Sequence, residues 1–308
     1  MNKGHCAAPD TFYPLQSLTD KLTNIPFRPL SVMEAPSGFG KTTAAREYFR
    51  TFTGQEYRLH WLTLGEENRL SEWEVFCSAI SRVNKAAGDE LEKLSVLHDD
   101  KAFFKIHNIL TNMGCPEKTF VVLDNHQFAS ERLPLKCVEI LCNSLPENLH
   151  FLVITQKNAP AINHMVSNGS ANHIGEKYLT FTPHDIQGYF ETSGFPITDA
   201  QAESIFSATG GWIAAIYLTL KKHAEEGDFD NAGDTMKLVE TAIWKKIDIA
   251  EQAFLMRLCF FDSFDVELVR FMNSHSTVES AALNTLKNTG FVYYDATANR
   301  YFVHSILH

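Results

Sequence analysis

The stretch LSVMEAPSGFGKTT, residues 30–43, decides the fold. Its opening run, Leu30–Ala35, reads as a buried strand. After Lys41, Ala45, Tyr48, Phe49 and Phe52 recur at i, i+3, i+4 and i+7, the spacing of an amphipathic helix. Between strand and helix, residues 35–43 follow the phosphate-loop pattern G-x-x-x-x-G-K-[ST], with Ala35 in place of the first glycine. Gly38 and Gly40 let the backbone curl so that successive N–H groups face an anion. The helix start adds its positive end. Pro36, Ser37, Gly38, Phe39, Gly40, Lys41, Thr42 and Thr43 are therefore the candidate cradle. Lys41 would reach the β- and γ-phosphates of ATP or ADP, and Thr42 would offer its hydroxyl to Mg²⁺. The plainer alternative is a glycine turn before a helix with a chance Lys-Thr.

A second element supports the first. Phe120-Val121-Val122-Leu123-Asp124 is an apolar strand ending in a carboxylate. In an open α/β sheet that end lies beside the phosphate loop, where Asp124 would hold Mg²⁺ directly or through water. The next residue is Asn125, and an amide cannot act as a general base, so hydrolysis is expected to be slow at most. Glu66 or Glu67 could substitute as the general base, and equally read as solvated loop charges. A further strand, Phe151–Thr155, ends in Gln156 and Lys157. Polar groups there could sense the γ-phosphate, though Lys157 also reads as an exposed loop lysine.

The predicted strands are Leu30–Ala35, Leu59–Leu64, Thr119–Asp124, Phe151–Thr155 and Lys177–Phe181. Amphipathic segments separate them, one opened by a Ser71/Glu74 capping box. This alternation predicts an α/β fold, a parallel sheet with helices on both faces, over residues 1–181. From residue 182 the pattern changes. Thr182-Pro183-His184-Asp185 reads as a helix start, and helices over 183–193, 199–208 and 212–224 suggest a small helical domain (182–235). Residues 236–308 predict three short helices at 248–260, 265–273 and 276–288. A hairpin follows, Phe291–Tyr294 with Tyr301–Val303, completing the outline of a winged helix.

Composition narrows the function classes. Hydrophobic residues make up 44% and charged residues 21% of 308, a globular balance. The 27 Lys+Arg against 37 Asp+Glu give a net charge of −10, which repels nucleic acid at long range. No run approaches the ~20 apolar residues of a membrane span, and the first residues lack a signal-peptide core. The six cysteines are scattered without a C-x-x-C pair, so reduced thiols and a cytoplasmic location are expected.

Seven segments in order resemble one family, the large MalT-type ATP-binding regulators of the LuxR family, within the STAND class of signalling P-loop NTPases. They are APSGFGKTT (35–43), LHWLTLGEENRLSEWEVF (59–76), FVVLDNHQF (120–128), FLVITQKNAP (151–160), YLTFTPHDI (178–186), TGGWIAAIYL (209–218) and NRYFVHSILH (299–308). The resemblance implies a P-loop domain of the ASCE type, a helical domain and a winged helix that together clamp ADP at rest. Exchange for ATP, triggered by an inducer, would lead to self-association. It implies that Trp212 lies near the base and that His304 contacts the ADP β-phosphate. Trp212 has a plainer reading as a packing residue beside Ile213 and Ile216, and His304 as a core histidine of the winged helix. Asn125 stands where relatives carry a second acid, and Gln156 where a sensor arginine is common. Relatives continue into a sensor that takes the inducer and a terminal DNA reader, so this sequence is expected to be a fragment or a regulator without those modules.

Two other classes compete. A turnover ATPase of the AAA+ kind would want an acid after Asp124. A winged-helix DNA binder would want a basic face, yet from Lys245 to His308 there are six Lys/Arg against seven Asp/Glu.

Overall fold

The computed structural model describes residues 11–52, 56–65, 70–94, 100–157, 160–226, 249–258, 260–261, 263–272, 292–295 and 300–303. They divide into two compact units. One takes in Gln16–Ala35 and Lys41–Tyr178; the other takes in residues up to Leu15, Pro36–Gly40 and the chain from Leu179 on.

The first unit is an α/β sheet. Its strands are β1 (Leu30–Glu34), β2 (Tyr57–Thr63), β3 (Lys118–Asp124), β4 (Leu149–Thr155) and β5 (Asn172–Gly175). They lie in the order β2-β3-β4-β1-β5, and every pairing is parallel. From β1 the chain crosses to the far edge at β2 and returns through β3 and β4. It then passes beyond β1 to β5. The connections thus reverse direction between β4 and β1, which opens a crevice at the C-terminal ends of those strands. Register sets Glu34 beside both Thr155 and Gly175 at that edge.

The helices of this unit are α1 (Gln16–Leu22), α2 (Lys41–Thr51), α3 (Glu72–Val83), α4 (Lys85–Glu92), α5 (Asp100–Asn112), α6 (Leu135–Ser144) and α7 (Pro160–Ser167). β3 and β4 are buried along nearly their whole length, as expected for strands covered on both faces. Alternation sorts their side chains. Phe120 meets Phe49 of α2 at 5.2 Å between ring centroids. Val121, Leu123, Phe151 and Val153 join the core under α3, α5, α6 and α7. Each fully buried Phe or Leu contributes roughly 1.5–3 kcal/mol. Ser71 opens α3 as its sequence predicts: Glu74 N–H donates to Ser71 Oγ at 3.2 Å, and Ser71 N–H donates to Glu74 Oε2 at 2.8 Å.

Four of the five expected strands form. The fifth does not. Lys177 lies instead in a 3-10 turn, Glu176–Tyr178, and the edge strand is Asn172–Gly175. That strand is short and polar, so its sequence carries little β signal. It holds its place partly through Asn172, whose Nδ2 donates to Ser31 Oγ and to Lys21 O, each at 3.3 Å. The apolar residues Leu179 and Phe181 belong to the other unit. Helices α1, α4 and α7 also lie outside the sequence expectation.

The second unit contains α8 (Pro183–Thr192), α9 (Asp199–Thr209) and α10 (Ile213–Glu226), then α11 (Ile249–Leu258) and α12 (Val266–Met272). Capping boxes at Thr182/Asp185 and Thr198/Gln201 open α8 and α9. Gly210, at φ 59°, closes α9 in the left-handed conformation favoured there. Strands β6 (Val292–Asp295) and β7 (Arg300–Val303) pair antiparallel, as a hairpin requires. Phe264 and Tyr301 exchange two backbone hydrogen bonds, at 2.8 and 2.7 Å. The expected helix at 276–288, Glu66, Glu67 and His304 lie outside the described residues.

Ser71→Ala is expected to cost the first unit about 1 kcal/mol through loss of the cap, while Ser71→Asp keeps most of it. Urea unfolding of both variants checks this.

Candidate functional site

Six residues separate β1 from α2, too few for anything but a tight loop. Gly38 and Gly40 carry φ of 78° and 74°, a region open to glycine at little cost. Residues 36–40 pack within the second unit. There the Trp212 indole Nε1–H donates to Ser37 O at 3.1 Å, and Ala214 N–H, in the first turn of α10, donates to Gly38 O at 3.2 Å. A Cβ at Gly38 would lie 2.6 Å from Trp212 Nε1, so backbone angle and close approach both require glycine. Trp212 is itself buried. It is therefore more than a packing residue: its indole holds a carbonyl of the loop.

Lys41, Thr42 and Asp124 meet in the first unit. Lys41 Nζ donates to Ala35 O at 2.7 Å, folding the side chain back over the start of the loop. Thr42 Oγ1 donates to Asp124 Oδ1 at 3.0 Å, and Asn125 N–H donates to the same oxygen at 3.0 Å. Asp124 is 3% exposed, so these donors replace lost water. Asn125 sits at φ 59°, the left-handed region that Asn enters more readily than longer side chains. Two hard oxygens 3.0 Å apart, one of them a carboxylate, form the kind of pair a small divalent cation joins. A magnesium-bound phosphate group therefore fits the residues present.

At the tip of β4, Gln156 N–H donates to Gln127 Oε1 at 3.1 Å, and Gln127 Nε2 reaches Asn125 Oδ1 at 3.5 Å. Gln127 thus links the ends of β3 and β4, a role its sequence position does not advertise. Thr155 Oγ1 accepts from Lys157 N–H at 3.2 Å and donates to Lys157 O at 2.8 Å, shaping the turn after β4.

Sequence reasoning missed three further groups. Glu34 ends β1, Glu176 follows β5, and His173 Nε2 lies 3.3 Å from Glu34 Oε2. Glu34, an acid closing an apolar strand just ahead of the loop, was the available signal. Burial pushes Lys41 down to about 8, against the attraction of Asp124, Glu176 and Glu34. Burial pushes Glu176 up to about 7, helped by the charge of Glu34 and opposed by Lys41. Added negative charge from an anion would raise Lys41 again, as it raises any lysine.

The two shifts act on stability in opposite pH windows. Between its ordinary 4.5 and about 7, folded Glu176 keeps a proton that the unfolded chain has lost, so stability falls as pH rises through that window. Folded Lys41 loses its proton near 8 while the unfolded chain keeps it to 10.5, so stability rises across that range. Glu176→Gln is expected to remove the fall below neutrality and leave the alkaline rise. Urea unfolding across the two windows checks it; an unchanged acid-side slope contradicts it.

No protein-family profile matches the chain. It is 21% identical over 266 residues to the HTH-type transcriptional regulator MalT of Yersinia pestis (strain Pestoides F), covering 78% of this chain and 28% of that protein. The MalT of Vibrio cholerae serotype O1 is equally similar, 21% over 264 residues with the same coverage. The chain thus spans about a quarter of the length of these curated relatives. Among solved structures, a Walker-type ATPase of Pyrococcus abyssi is similar in fold, with TM-score 0.58 and 11% identity over 99% of this chain and 97% of that one. No helix of the described residues is long and apolar enough to cross a membrane. In sequence the chain is similar to the MalT regulators, and in fold it is similar to a Walker-type ATPase.

Proposed function

We propose that this module binds an adenine nucleotide with Mg²⁺ and works as a switch: ADP-bound at rest, ATP-bound when it self-associates. The observation that carries the reading is the Thr42–Asp124 pair, set beside Lys41 at the reversal point of the sheet. Pro36, Ser37, Gly38, Phe39, Gly40 and Thr43 would wrap the phosphates with backbone N–H groups, and Lys41 would neutralise the terminal ones. Thr42 and Asp124 would hold Mg²⁺, whose charge would offset that of the phosphate oxygens. Trp212 would steady the loop through Ser37.

Slow hydrolysis suits a switch better than a motor. Asn125 supplies no base, and its left-handed backbone disfavours a longer acid in its place. The MalT relatives are named as transcriptional regulators, which fits a module whose output is assembly or control of transcription. Sensing of an inducer and reading of DNA would belong to other modules. A ligand shifts an equilibrium only by its differential affinity for the two states. If His304 touches ADP, as the resemblance implies, ADP lends its binding energy to the resting arrangement. The three-part organisation, with a helical domain over 182–235 and a winged helix over 236–308, belongs to this proposal.

Calorimetric titration with ADP and ATP tests the reading. Lys41→Ala is expected to weaken both at least tenfold, and Gly38→Ala to do so by displacing the loop from Trp212. Wild-type protein that takes up neither nucleotide contradicts the proposal. His304→Ala is expected to weaken ADP more than ATP; equal losses would remove its switching role.

A further inference from the structure

The two edges of the sheet are built differently. β5 closes one edge with four residues, among them polar Asn172 and His173. β2 closes the other with seven, Tyr57–Thr63, paired with β3 in continuous register. Short length, proline and bulges are among the devices that blunt a sheet edge, and β2 has none of them. Leu64 N–H donates to Asp124 O at 2.9 Å, which fixes the alternation: Arg58, His60 and Leu62 turn their backbone toward β3. The N–H and C=O groups of Leu59, Trp61 and Thr63 therefore face outward, where no strand lies among the described residues. Leu59 is 38% exposed and Thr63 is exposed, so this row is accessible.

The two faces beside the row differ in chemistry. Leu59 and Trp61 share the α2 side with Tyr57, whose ring meets Phe49 at 6.3 Å. The Arg46 guanidinium lies 5.4 Å from the Trp61 ring centroid. Arg58 and His60 share the α3 side, where Arg82 stands in the last turn of that helix. Burial first, and then the charges of Arg82 and Arg58, hold the His60 imidazole below its ordinary proton affinity. Arg58 is engaged by Glu117, Nη2 donating to Oε1 at 3.0 Å. Arg46 and Arg82 have no carboxylate partner among the described residues. A strand laid against β2 thus meets apolar surface on one face and surplus positive charge on the other. Two β2 edges laid together would gather Arg58, His60 and Arg82 of both copies, where like charges repel.

We infer that the free edge of β2 is a docking site for an extended acidic segment of another protein, whose carboxylates alternate with apolar side chains. Backbone pairing would supply affinity and the alternating side chains specificity. Carboxylates would face Arg58, His60 and Arg82, while apolar groups cover Leu59 and Trp61. β3 and β4 stand between this edge and β1, so the site does not depend on nucleotide binding.

Fluorescence anisotropy with the whole chain and no nucleotide tests it. The probe is a short labelled peptide, capped at both ends, that alternates glutamate with valine. One control carries lysine in place of glutamate, and the other has every amide N-methylated. The glutamate peptide is expected to bind saturably, and both controls about tenfold more weakly or less. Leu59→Pro removes an outward N–H while sparing the β3 pairing, and is expected to abolish binding. Arg82→Glu, at an exposed position, is expected to weaken the glutamate peptide about fivefold and to strengthen the lysine peptide. No saturable binding to the wild type, or equal binding of either control, overturns the inference. So does a wild-type dimer that Leu59→Pro dissociates, because a second copy then occupies the edge. The peptide comparisons use wild-type protein, so a variant that fails to fold does not protect the inference.

Discussion

Thr42, in the helix that follows β1, and Asp124, at the end of β3, hydrogen-bond at 3.0 Å although β1 and β3 are not neighbours. β4 lies between β1 and β3, so the contact forms only when all three strands take their places and end at matching levels. Sheet order, the tight turn after β1 and burial of the Asp124 carboxylate are all conditions for that one contact. Two donors on Oδ1 offset the cost of removing the carboxylate from water. The same arrangement half-buries Lys41 one residue away, and the lost hydration lowers its proton affinity.

The central elements were legible because they obey short-range rules. A continuous apolar run ending in Asp gives β3, the Ser71/Glu74 box gives the start of α3, and Gly38 with Gly40 gives the turn. β5 was not legible. It is four residues with polar Asn172 and His173, and it exists because β1 offers an edge and Asn172 can bond Ser31. The Lys177–Phe181 stretch looked like a strand because its apolar residues alternate, but those residues serve another unit.

At the site, sequence named the residues of the motifs and missed those that tertiary structure brings to them. Glu34 and Glu176 are 142 positions apart in the chain and become electrostatic neighbours only through the β1–β5 pairing. Gln127 becomes a link between strand ends only because β4 stands next to β3. Trp212 illustrates the opposite lesson: its apolar neighbours are consistent with packing, yet its indole proton is committed to a loop carbonyl 175 residues away. Non-local contacts of this kind carry no periodic signature.

The acids around Lys41 also give the loop a physical character. A half-buried ammonium in the field of Asp124, Glu34 and Glu176 is held in a balance that an incoming phosphate would change. That is a reasonable basis for coupling occupancy to conformation, since ligand charge and protein charge act on the same group. The most direct measurement of the central claim is chromatography of whatever nucleotide is released when the freshly purified chain is denatured. The account predicts ADP near one per chain, lost in Lys41→Ala. A wild-type chain that releases no nucleotide and takes up neither ADP nor ATP when supplied would contradict it.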